Sequence, residues 1–248
     1  MLKRRSISEL LVLAKAYPYD RPKGSYLLES DRIVELKGRA LDGDLKKYTP
    51  VLAYGSNASP AQLRRKLPEI KEPIAVLEAS VRDLDVVYSA RFAKYGAIPA
   101  TLASSPGTTL HTHVVFLTKD QLRLIHKTER PAYLYGKLHH PILIDRFGFC
   151  DYIYVYFYEH GYTVDGRLVA YEEVHAEKRG FLAIRHDEML AVVHQRIRSE
   201  IDLDNFIAET ASNKVKRAEH DIALAANSIQ LTLDHFEQVL PRPKKKIG

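Results

Sequence analysis

The stretch Tyr54-Gly55-Ser56-Asn57 joins an apolar run, Val51-Leu52-Ala53, to the helix-like Ser59-Pro60-Ala61-Gln62-Leu63. Together these residues predict a strand, a glycine turn and a capped helix. Gly55 supplies backbone freedom for the turn, Ser59 the N-cap and Pro60 the first helical residue. Amide N–H groups converging at such a turn make a cradle for an anion or a carbonyl oxygen, so Tyr54, Gly55, Ser56 and Asn57 are candidate ligand-binding residues. Ser56 also stands where a serine nucleophile could stand, on a tight turn after a strand. The Gly-x-Ser-x-Gly of a hydrolase elbow is missing, because Asn57-Ala58 follow, and Ser56 is read as donating its amide or hydroxyl to a ligand. Histidines offer a third chemistry. His111 and His113 would share one strand face and His139-His140 lie together, but no His-Glu-x-x-His or cysteine pair completes a ligand set, and no metal is expected.

The elements around these residues follow from pattern. A short helix starting at Ser6 or Ser8 precedes a connection interrupted by Pro18, Pro22 and Gly24. From Tyr48 onward the chain reads as strands at 51–54, 74–79, 84–88, 100–102 and 111–117, separated by Pro, Gly and Ser clusters. A helix over 119–127 capped by Thr118 delivers the chain to Glu129-Arg130-Pro131, where Pro131 opposes its continuation. Strands at 137–144 and 151–158 follow. The second alternates Tyr152, Tyr154, Tyr156 and Tyr158 against Ile153, Val155 and Phe157, so an apolar face meets the core and a tyrosine ladder lies over a second layer, a pocket or a partner. Helices are expected at 187–199 and 204–231.

A length of 248 residues, 46% of them hydrophobic, suits one large domain or one domain with appendages. The boundaries read as an N-terminal helical appendage over 1–47, a strand-rich domain over 48–180, a C-terminal helical extension over 181–240 and a basic tail over 241–248. Lys plus Arg number 37 against 31 Asp plus Glu, a net charge of +6, with much of the excess in Lys3-Arg4-Arg5 and Lys244-Lys245-Lys246. Neither zinc-finger spacing nor an RNA-binding signature accompanies it, and nucleic-acid binding is not expected. The single cysteine, Cys150, excludes an intramolecular disulfide and suits a reducing, cytoplasmic setting. Lys3-Arg4-Arg5 before Leu10-Leu11-Val12-Leu13 imitates an export signal, but Glu9 and Lys15 interrupt a short apolar stretch, and no window is long enough for a membrane span.

Three features occur in a telling order: Tyr54-Gly55-Ser56-Asn57; the stretch from Gly96 through Ala100-Thr101-Leu102 to Pro106-Gly107; and Leu122 to Glu129 followed by Tyr135. In this the chain resembles the gamma-glutamylcyclotransferase-like family, over roughly residues 50 to 160. The resemblance implies an α+β protein, a compact mixed β-barrel with flanking helices, here with a C-terminal helical extension. It implies a cavity that holds a small gamma-glutamyl compound and returns 5-oxoproline plus a free amine or amino acid, without metal or organic cofactor. It assigns Glu129 as the acid/base carboxyl, the 54–57 loop as the backbone cradle and Tyr135 as a pocket wall, with Tyr133 as a rival for that place.

The chemistry fits these residue types. Cyclising a gamma-glutamyl amide requires the substrate's own alpha-amine to lose a proton while it attacks the gamma carbonyl. One carboxyl can take that proton and pass one to the departing nitrogen, best from an apolar, partly desolvated pocket. Charge developing on the gamma oxygen needs preorganised donors such as loop amides, and the substrate's alpha-carboxylate would favour the helix start after Ser59. The structural reading of Glu129 is a solvated helix-terminal carboxylate between Lys127 and Arg130. Two departures from the family pattern bear on the pocket: His113 stands where a glycine is common, and Ile125-His126 replaces Leu-Asp. The non-enzymatic alternative is a catalytically inactive binding or assembly module whose C-terminal helices form a partner surface, a homodimer included.

Overall fold

Fifteen strands and six α-helices are found among the described residues, 5–37, 44–130 and 132–241, of the computed structural model. In chain order the first part comprises α1 (Ile7–Lys15), β1 (Tyr26–Leu28), β2 (Ile33–Glu35), β3 (Thr49–Ala53), α2 (Pro60–Lys66), β4 (Ile74–Tyr88), β5 (Ala100–Leu117) and α3 (Lys119–Glu129). Next come β6 (Leu134–Leu138), β7 (Ile142–Ile144), β8 (Gly148–Cys150), β9 (Ile153–Phe157), β10 (His160–Val164), β11 (Arg167–Tyr171), β12 (Ala176–Glu177) and β13 (Leu182–Ile184). The chain closes with α4 (His186–Ile197), α5 (Leu203–Ser212), α6 (Lys214–Ala225), β14 (Ser228–Gln230) and β15 (Phe236–Leu240). Pro131 and both terminal basic clusters lie wholly or partly outside the described residues.

Local chemistry explains the helix ends. Ser6 and Glu9 form a reciprocal capping box at the start of α1, and Thr118 and Gln121 form another at the start of α3. The helix expected over 204–231 is in fact two, ending at Ala225. Asn213 closes α5 and caps α6, its Oδ1 accepting from Val215 N (3.0 Å) and Lys216 N (3.2 Å).

The expected barrel is not formed. The main sheet runs in the order β14-β10-β11-β4-β5-β3-β9-β6-β15, and among the described residues its two end strands do not pair with each other. Its spine is the antiparallel ladder of β4 and β5, while β3 and β9 run parallel through Val51 and Tyr154. The Pro106-Gly107 segment, expected to separate strands, is a bulge within β5. The register jumps from Arg82 opposite Thr109 to Leu84 opposite Ser104, and Gly107 N donates to Asp83 Oδ1 at 2.7 Å. Gly107 takes φ +83°, which the absence of a side chain permits.

Alternation along the strands divides the core in two. Leu52, Val114, Phe116, Ile153, Val155 and Phe157 face a larger core that α4, α5 and α6 cover with Met189, Val193, Phe206 and Leu224. Val51, Ala53, Val115, Tyr135 and Tyr156 face a smaller one, covered by Leu63 of α2 and Ile125 of α3. The C-terminal segment is not wholly helical, because β14 and β15 return to the sheet. At Gly136 of β6 a Cβ would meet Glu237 O at 2.3 Å, so the close approach of β15 requires glycine there.

His113 is a core histidine packed beside Tyr26, and burial, with Arg21 nearby, pushes its imidazole down to about 4. The unfolded chain binds a proton near the ordinary value of about 6.5 and the folded chain does not, so His113 contributes stability above that value which is lost as pH falls toward 4. Asp85 and Asp221, whose carboxyls burial pushes upward, act in the opposite sense. The histidine contribution is therefore read by difference. Between pH about 6.5 and about 4, urea unfolding should show wild type losing about 3 kcal/mol more than His113→Gln.

Candidate active site

Strand β3 carries Leu52 and Ala53 to the wall of a cavity of about 490 Å³ and delivers Tyr54, Gly55, Ser56 and Asn57 to its lining. Tyr54 is buried, and its hydroxyl donates to the carbonyl of Tyr156 on β9, which fixes the loop to the neighbouring strand. Residues Ser56–Ala58 form a single 3-10 turn, with Ala58 N bonded to Gly55 O and Ser59 N to Ser56 O. A one-turn helix leaves its leading N–H groups without intrahelical acceptors, here those of Ser56 and Asn57.

Two details of this loop differ from expectation. Gly55 lies outside the left-handed region, at φ −125° with ψ −134°. Glycine is needed instead for close approach, since a Cβ there would lie 2.7 Å from the hydroxyl oxygen of Tyr17. Ser59 holds the N-cap position with Pro60 at the first turn of α2, but its side chain makes no capping bond. Helix α2 is seven residues long.

Glu129 is the last residue of α3 and lines the same cavity. It does not sit in water between Lys127 and Arg130; Arg130 reaches away to Pro241 O at 2.6 Å. Nor are its surroundings apolar. Its Oε1 accepts from Lys66 Nζ at 2.5 Å, and the side chains are 15% and 4% exposed respectively. The same ammonium donates to Asn57 Oδ1 at 2.6 Å and Ser56 Oγ at 3.4 Å. Three oxygens thus surround one buried cation, which satisfies the three donors of a lysine and offsets its desolvation. Thr128 Oγ1 lies 3.4 Å from Oε1, but its single proton goes to Ile125 O at 2.9 Å. The lysine bond to the carboxylate falls on Oε1, and no described residue bonds Oε2.

Tyr135 does not line the cavity. It stacks on Tyr154 at 5.3 Å in the smaller core, and Tyr133 takes the wall position, its hydroxyl donating to Ala100 O at 3.0 Å. His113 is likewise outside the lining. His126 acts indirectly: its Nδ1 meets the hydroxyl of Tyr156, a cavity residue, at 2.8 Å, and burial followed by Arg130 lowers its imidazole.

Several lining residues escape the motif reading. Lys66 sits in the run Arg64-Arg65-Lys66, which reads as a solvated basic face. Its signal is periodicity, because Gln62, Leu63, Lys66 and Leu67 share one side of α2 and all four are buried. Tyr17 comes from the connection after α1, and Arg217 and Asp221 from α6. Tyr17 Oη accepts from Ala100 N at 2.9 Å, and burial holds its phenol well above the usual range. Tyr17→Phe leaves that amide without its acceptor and is expected to cost about 1–3 kcal/mol in urea unfolding.

Fold and site define an α+β chain with an open mixed sheet, whose cavity joins a carboxylate–lysine pair to a strand-turn backbone loop. No model of a known family matches this chain, and no curated protein matches it. Solved structures do show similarity. A protein from Arabidopsis thaliana is 18% identical, with a TM-score of 0.37, over 48% of this chain and 73% of that one. An uncharacterized protein from Homo sapiens is 18% identical, with a TM-score of 0.37, over 45% of this chain and 67% of that one. A gamma-glutamyl cyclotransferase is 18% identical, with a TM-score of 0.34, over 44% of this chain and 66% of that one.

Proposed function

We propose that the chain is a cyclotransferase that closes the glutamyl portion of a small gamma-glutamyl compound into 5-oxoproline and releases the attached amine. The observation carrying this reading is that Glu129 and the Tyr54–Asn57 loop line one cavity. The substrate's alpha-ammonium sheds one proton to solvent on binding, and Glu129, through Oε2, takes the next from the attacking nitrogen as it bonds to the gamma-carbonyl carbon. Glu129 then passes that proton to the departing nitrogen, which leaves as the free amine. The leading N–H groups of the loop face the charge that develops on the gamma oxygen. Lys66 fixes the carboxylate through Oε1 and compensates its charge. The phenols of Tyr17, Tyr54 and Tyr133, all raised by burial, remain protonated walls. Folding the glutamyl chain back within the cavity supplies the proximity an intramolecular attack requires.

One observation favours a second reading, that of an inactive binding module. The Lys66 ammonium stands in a cage of three oxygens, where an incoming alpha-ammonium would also be received. Incubation with a panel of gamma-glutamyl amides, with 5-oxoproline followed by mass spectrometry, separates the two. Product from any amide supports the cyclotransferase, and binding without product supports the module.

A further inference from the structure

The charge on the cavity wall is one-sided. Arg65, Lys66, Arg91, Lys94, Lys127 and Arg217 line it, against Glu129 and Asp221 alone. Lys66 is already matched by Glu129. Asp221 is engaged by the amide of Phe92 at 2.6 Å and lies in the fields of Arg91 and Arg217. Among the described residues, no carboxylate comes within ion-pair distance of Arg65, Arg91, Lys94 or Lys127.

Two of these cations are held rather than free to swing. The Arg91 guanidinium lies 5.8 Å from the ring centre of Tyr133 and 5.7 Å from that of Tyr158. Arg65 donates to Gln62 Oε1 at 2.7 Å and lies 5.9 Å from the ring centre of Tyr95. Aromatic faces orient a guanidinium without neutralising it, so both keep a full charge available for a ligand. A concave wall with this sign concentrates anions and repels cations.

Resting on the cyclotransferase reading, we infer that the leaving amine is acidic. The preferred substrate joins gamma-glutamate to an acidic amino acid or short acidic peptide, bearing at least two negative charges on the departing side. A polyamine or a lysine side chain would bring positive charge to the same wall. The ring-closing step is unchanged, with the amide C–N bond at the gamma-carbonyl carbon breaking after the alpha nitrogen has bonded to that carbon.

The test compares gamma-glutamyl-glutamate, gamma-glutamyl-alanine and gamma-glutamyl-putrescine for 5-oxoproline formation, and in parallel for binding by calorimetry. The diacid should exceed the alanine compound by about tenfold in kcat/KM and the putrescine compound by about a hundredfold, with both ratios shrinking between about 50 mM and about 500 mM salt. Arg91→Gln should raise KM for the diacid and narrow its advantage over the alanine compound. Equal or better use of the putrescine compound overturns the inference. If none of the three yields product, the cyclotransferase reading fails and binding decides the rest: tighter binding of the diacid upholds the acidic-ligand inference, and equal binding overturns it as well.

Discussion

Glu129→Gln is expected to lower 5-oxoproline formation by about a thousandfold or more while leaving the fold intact, since a positioned acid/base group contributes about 10²–10⁴. The amide keeps an oxygen for Lys66 Nζ, now 2.5 Å from Oε1, so the lysine retains a partner while the proton acceptor is lost. Circular dichroism and urea unfolding check the fold, and mass spectrometry checks the product. Turnover equal to wild type would remove Glu129 from the reaction.

Lys66→Met carries the second large effect. A lysine side chain only 4% exposed, bonded to Glu129, Asn57 and Ser56, holds three parts of the site in one arrangement. Its loss leaves the carboxylate without its counter-charge and lets the loop and the end of α3 separate. Turnover should fall about a hundredfold, from lost positioning. Stability should fall by about 2 kcal/mol, below the usual cost of breaking a buried pair because Glu129 faces the cavity. The double variant Lys66→Met/Glu129→Gln should recover most of the stability and none of the activity. A rise in turnover for Lys66→Met would instead identify the lysine as an occupant that substrate must displace.

Short-range signals made part of this site legible. Thr118 and Gln121 announce the start of α3, and the helical repeat carries it to Glu129. The apolar run before Tyr54 and the proline after Ser59 bracket the loop. What stayed hidden depends on the packing of distant segments. Tyr17 sits against Gly55 across 38 positions of sequence, a contact no local pattern encodes. Lys66 looks solvated beside Arg64 and Arg65 until α3 brings an acid to it. Whether the sheet closes depends on which strands occupy its ends, and β14 and β15 take those places from a region whose helical periodicity hid them. Tyr133 and Tyr135 have the spacing of one strand face, but β6 starts only at Leu134, so Tyr133 lies before the strand and meets the cavity while Tyr135 does not.

Glu129 and the Tyr54–Asn57 loop fall between positions 54 and 129, whereas Tyr17, Arg217 and Asp221 enter the lining from the two flanks of the chain. Changes confined to those flanks would therefore redraw part of the cavity wall, and a comparison restricted to the middle would judge such chains identical.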